Sequence, residues 1–117
     1  MSEHSTPTVA QVAEELGLKV CAGGHKLDSK VEGALVSDLL SFVMANGKRG
    51  QLWVTIQTHS NIVAVAVLGG LAGIIIASGF HPDEDTTGRA EEEDIPILTC
   101  DAPAYEVAGM LYELGVR

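Results

Sequence analysis

Asn61-Ile62-Val63-Ala64-Val65-Ala66-Val67-Leu68-Gly69-Gly70-Leu71-Ala72-Gly73-Ile74-Ile75-Ile76-Ala77-Ser78-Gly79-Phe80 is a run of twenty residues without a charge. Whether it forms one element or two decides the fold. As a single helix it is long enough to cross a bilayer. Gly69-Gly70 divides it, and the halves differ in character. Ile62–Leu68 suits a helix, whereas Ala72–Ala77 carries three consecutive isoleucines whose β-branched side chains favour extended backbone. A buried helix and strand therefore explain the segment without a membrane, and we adopt that reading.

Upstream, Gln51–Gln57 reads as a strand bearing Leu52, Trp53, Val54 and Ile56, with Ser60 placed to cap the following helix. Downstream, Pro82 opens an acidic helix, Ile97-Leu98-Thr99 forms a last strand, and Asp101 caps a final helix. On that helix Val107, Met110, Leu111 and Leu114 keep the spacing of a core face. Strand and helix alternate from residue 51 onward through short links, which predicts parallel strands, right-handed crossovers and helices on both faces.

The N-terminal half is read the same way. Thr8-Val9-Ala10-Gln11 has the capping-box pattern, and Val9, Val12, Ala13 and Leu16 share a helical face that Gly17 closes. Leu18–Cys21 is a short strand, Gly23 to Lys30 a polar loop, and Val31–Val36 a further strand. Ser37 caps a helix from Asp38 to about Ala45 that Asn46-Gly47 ends. The predicted fold is α/β: one three-layer domain over residues 1–117, with a mostly parallel sheet of about five strands flanked by helices and a flexible start at 1–7. The size fits one core, and 46% apolar residues supply enough buried surface to offset the ordering entropy.

The formal charge of −9 is concentrated, with seven acids against Arg89 between Asp83 and Asp94. Such a surface repels a phosphate backbone, so nucleic acid is excluded as a partner. The opening helix has a helix-turn-helix look, but no basic recognition helix follows it. Cys21 and Cys100 stand apart with no paired-ligand spacing, and the N-terminus lacks the basic and apolar regions of a secretory signal. Both features point to a reduced, cytoplasmic setting.

In an open parallel sheet, ligands gather at the carboxyl ends of the strands, beside helix N-termini with free N–H groups. That edge receives Thr55, Gln57, Thr58, His59, Ser60 and Asn61 from one strand and its loop. Ser78, Gly79 and His81 come from the next, and Cys100 and Asp101 from the last. Three readings follow. The amides around Ser60-Asn61 face a phosphate, with Gly79 allowing close backbone approach, or Ser60 simply caps and Gly79 simply turns. Alternatively, His59, His81 and Cys100 serve a small metal- or thiol-dependent enzyme, although no closely spaced ligand pair anchors a metal. No G-x-x-x-x-G-K-[ST] loop occurs, which argues against kinase chemistry, and no cofactor is expected.

Val-Ser-Asp-Leu-Leu-Ser at 36–41, the run Gly50–Ala66 around Trp53-Val54-Thr55-Ile56-Gln57-Thr58-His59-Ser60-Asn61, Ala72–Gly79, Pro82 and Ile95-Pro96-Ile97-Leu98 together resemble stand-alone DRTGG-domain proteins. The resemblance implies a compact α/β unit acting in regulation or association and not in catalysis. It also implies a homodimer, a protein partner in an iron-only hydrogenase or redox system, and a small ligand such as an adenine nucleotide. Some relatives of this type are labelled as serine kinases of the phosphocarrier HPr. The acid-arginine signature that gives the family its name is not present; Gln57–Asn61 lies about where it is expected and marks the loop where function is anticipated.

Overall fold

The computed structural model describes residues 6–117. The chain runs α1 (Val9–Leu16), β1 (Lys19–Ala22), a 3₁₀ turn (Gly24–Lys26), β2 (Gly33–Val36), α2 (Leu40–Asn46), β3 (Gln51–Thr55), α3 (Asn61–Gly69), β4 (Gly73–Ile76), α4 (Glu84–Glu93), β5 (Ile97–Thr99) and α5 (Ala104–Leu114). The strands form one sheet in the order β1-β5-β4-β3-β2. The pairs β2–β3, β3–β4 and β4–β5 are parallel, and β1 joins β5 antiparallel with an irregular register between Val20 and Ala22. The sheet is thus mixed and mostly parallel.

The charge-free run divides as its composition predicts. Asn61–Gly69 is α3, Gly70 ends it in the left-handed region at φ 64°, and Gly73–Ile76 is β4. Among the described residues no helix is long and apolar enough to cross a membrane. All four β4 residues are buried, and its isoleucines alternate between layers. Ile74 and Ile76 pack with Trp53, Val43, Ile62, Val63 and Ala66 on the α2–α3–α4 side. Ile75 packs with Leu52, Val54, Val9, Val12, Val107 and Leu111 on the α1–α5 side. Two apolar layers on one sheet are what three successive parallel crossovers and two terminal helices must produce.

Local signals explain several boundaries. Thr8 caps α1, with its side chain accepting from the Gln11 N–H while the Gln11 side chain accepts from the Thr8 N–H, and Gly17 closes the helix at φ 68°. The residues before α1 are held against the start of β2: Thr8 bridges Lys30, and Val31 N–H donates to Pro7 O. Of the predicted flexible start, residues 1–5 lie outside the described residues. Gly23 sits at φ 68°, and a Cβ there would come within 2.5 Å of the Ile95 carbonyl, so backbone contact as well as conformation requires glycine.

Three predicted caps are not made. Ser37 does not cap α2, which begins two residues later than expected, because the Asp38 carboxylate is engaged by β3 and Ser37 Oγ accepts from Leu39 N–H. Ser60 already has helical backbone angles (φ −64°, ψ −19°) and its hydroxyl makes no cap bond, since capping needs an extended residue. Asp101 lies in a bend ahead of Pro103, whose fixed φ sets the entry to α5.

Burial on both faces makes β4, like β3, sensitive to truncation. Ile75→Ala is expected to cost about 2–5 kcal/mol, while Leu68→Ala, at a side chain 77% exposed, should stay within about 0.5 kcal/mol; urea unfolding of the two variants tests the difference.

Candidate functional site

The carboxyl ends of β2, β3, β4 and β5 form one edge, and side chains join their loops. At the β2–β3 side, Asp38 Oδ1 accepts from Thr55 Oγ1 at 2.9 Å and from Ile56 N–H at 3.0 Å. Gln57 Nε2 donates to Asp38 O at 2.9 Å, and Gln57 N–H donates to Thr55 Oγ1 at 3.2 Å. Trp53, fully buried, donates its indole N–H to Ser37 O at 2.7 Å. Thr55 and Gln57, placed on this edge by sequence, are therefore members of a clasp whose centre is Asp38. Sequence reasoning assigned Asp38 to a helix and missed it.

Between β3 and β4, Thr58 O accepts from Asp83 N–H at 3.0 Å and from Thr86 Oγ1 at 2.8 Å. His59 Nδ1 lies 2.7 Å from Asp83 Oδ2, with both side chains substantially exposed. Asp83 thus serves the His59 imidazole instead of capping α4 with its side chain. Thr86 is fully buried and was not singled out from sequence. Its only legible signal was a threonine four residues before Ala90, on the inward face of α4.

Between β4 and β5 the chain makes a tight turn in which Ser78 (φ 64°) and Gly79 (φ 79°) are both left-handed, and Phe80 N–H donates to Ala77 O at 3.4 Å. Ser78 N–H donates to Ala102 O and Gly79 N–H to Cys100 O, at 2.8 and 2.9 Å. Those amides are already used, so Gly79 acts here as a turn residue. By contrast, no acceptor for the N–H groups of His59, Ser60 or Asn61 occurs among the described residues, and the first turn of α3 holds no acid.

Farther along the edge, a cavity of about 220 Å³ is lined by Gly17, Lys19, His81, Thr99, Cys100 and Asp101. It brings His81 and Cys100 together and leaves His59 with Asp83. Among the described residues no three His, Cys, Asp or Glu side chains are grouped so as to hold a metal ion. Burial pushes the Cys100 thiol above its ordinary pKa; hydrogen bonding with the Ala102 backbone works the other way, and the Asp101 charge adds to the rise. A thiol held in its protonated form near neutral pH is a poor nucleophile.

These features define the class: a mixed five-stranded α/β domain whose loops meet along the carboxyl edge of the parallel strands. A sequence model of the DRTGG domain matches residues 11–114, and the chain belongs to the DRTGG-domain family. Among solved structures it is similar to the CBS and DRTGG domains of the regulatory region of Clostridium perfringens pyrophosphatase, a complex with the activator diadenosine tetraphosphate. The TM-score is 0.73 at 10% identity, over 92% of this chain and 46% of that one. The chain therefore spans about half the length of that relative, and at this identity the likeness is one of fold. No curated protein sequence matches the chain significantly.

Two measurements test the edge. Asp38→Ala leaves the buried Thr55 hydroxyl without its acceptor and should cost about 1–3 kcal/mol, read by urea unfolding. In a Cys21→Ser background, alkylation of Cys100 by iodoacetamide should reach half its limiting rate above the ordinary thiol value of about 8.5. The folded state holds this proton more tightly than the unfolded chain does. Its contribution to stability is complete below the ordinary thiol pKa and is lost as pH rises through the folded value.

Proposed function

We propose that the chain is a non-catalytic regulatory or assembly module that binds a small nucleotide, with an adenine nucleotide as first choice, at the carboxyl edge beside the start of α3. The observation that carries this reading is the contrast between two loops. The amides of Ser78 and Gly79 are spent on backbone carbonyls, whereas those of His59, Ser60 and Asn61 point from a helix start with no protein acceptor among the described residues. Free N–H groups at a helix start, without a nearby acid on the same turn, favour a phosphate. A regulatory role is supported by the family and by the relative whose regulatory region is complexed with diadenosine tetraphosphate. The raised thiol pKa of Cys100 and the separation of His59 from His81 favour binding over an enzyme built on these three residues.

The assembly side of the proposal is a homodimer in the cytoplasm. A partner from a hydrogenase or redox system rests on the family resemblance of the sequence.

Thermal unfolding with and without ligand tests the nucleotide reading. A nucleotide at a hundred times its Kd should add about 2.7 kcal/mol. Ser60→Asp, which keeps a good residue at the helix start but sets a carboxylate against the phosphate, should remove the shift. A shift produced by zinc or iron instead, and lost in His59→Ala, would support the enzyme reading.

A further inference from the structure

Because β1 runs antiparallel to β5, its start lies at the carboxyl edge of the sheet, with Lys19 opposite Thr99 and the end of α1 just before it. The cavity of about 220 Å³ at that seam takes its lining from three segments. Gly17 and Lys19 come from the α1–β1 link, His81 from the loop after β4, and Thr99, Cys100 and Asp101 from the end of β5.

The buried and the exposed parts of this lining differ in how their polar groups are used. Thr99, 4% exposed, has its Oγ1 3.4 Å from Cys21 Sγ, and the half-buried Cys100 donates its thiol to Ala102 O at 3.8 Å. The side chains of Lys19, His81 and Asp101 are exposed at the rim. Among the described residues none of the three has a hydrogen-bond partner, and no ion pair joins Lys19 to Asp101. Elsewhere on the edge Asp38, Gln57, His59 and Asp83 are all engaged by neighbours. Asp101 lies against the Ser78-Gly79 turn, where a Cβ on Gly79 would stand 3.5 Å from its Oδ1.

Two unlike charges therefore face one small space without neutralising each other. A simple anion in it gains from Lys19 and is repelled by Asp101, and a simple cation meets the reverse. A ligand with both a carboxylate and an ammonium satisfies both. Gly17 closes α1, so the partly negative end of that helix adds to Asp101 as a seat for the ammonium. The His81 ring, which offers an N–H in either protonation state, adds to Lys19 for the carboxylate. Sites for drug-sized ligands run to about 300–1,000 Å³, so this cavity selects something smaller.

We propose that the cavity binds a free α-amino acid with a short side chain, its carboxylate on Lys19 and His81 and its ammonium on Asp101 and the end of α1. The site is separate from the start of α3 and is independent of the nucleotide reading.

The test is a titration of the full chain with glycine, L-alanine and L-serine to about 10 mM, above the millimolar Kd expected of so small a ligand, followed by amide chemical shifts. Saturable shifts at Gly17, Lys19, Cys100 and Asp101 are expected with at least one of the three. Acetate and methylammonium, each with one of the two charges, should bind at least about tenfold more weakly. Lys19→Gln and Asp101→Asn, at exposed positions outside the core, should each weaken amino-acid binding at least about tenfold. Absence of saturable shifts with all three amino acids overturns the proposal. So does acetate binding as tightly as they do, which would make this a simple anion site, or an affinity that either substitution leaves unchanged.

Discussion

The constraint on which this structure depends is the burial of β3 and β4 on both faces. Trp53, Ile74 and Ile76 need helices on one side and Leu52, Val54 and Ile75 need them on the other. A central strand can shed water from both faces only inside three layers. The right-handed crossovers through α2, α3 and α4 fill one layer, leaving α1 and α5 for the second. The same constraint places the carboxyl ends of β3 and β4 in mid-sheet, where each loop has a neighbour on both sides. Asp38, Asp83 and the carbonyls of Thr58, Cys100 and Ala102 are thereby brought within reach of those loops.

Much of this architecture was legible in the sequence because it rests on local signals. Gly69-Gly70 separates a helix from a β-branched strand, Thr8 and Gln11 form a reciprocal cap, and Gly17 ends the first helix. The caps that failed are those where a side chain had a distant alternative or the backbone was wrong for capping. Asp38 is claimed by Thr55 and Ile56, seventeen and eighteen residues away, and nothing in local spacing announces that choice. Ser60 looked like a cap by composition, yet its backbone angles are already helical and its hydroxyl makes no cap bond. The position of the site followed from strand order. Its separation into spent and unspent amides did not, because Ser78 and Gly79 find their acceptors on a loop that follows a different strand.

That separation also orders the functional readings. A thiol enzyme needs an ionised Cys100; His81 lines the same cavity, but burial pushes the thiol pKa up, and His59 faces Asp83. A binding module needs only donors left free on a rigid frame, which the start of α3 supplies between two buried strands.

The antiparallel pairing of β1 with β5 has a consequence for how the chain assembles. The strands β2 to β5 are neighbours in sequence and in space, so each crossover can form with only a short loop to close. Lys19 and Thr99, eighty residues apart, are paired across the one antiparallel seam of the sheet. Closure entropy grows slowly with loop length but must be met before the contact is made. The β1–β5 pairing therefore closes the longest loop of the four strand pairs, and the N-terminal strand acts as a latch on the far side of the parallel sheet.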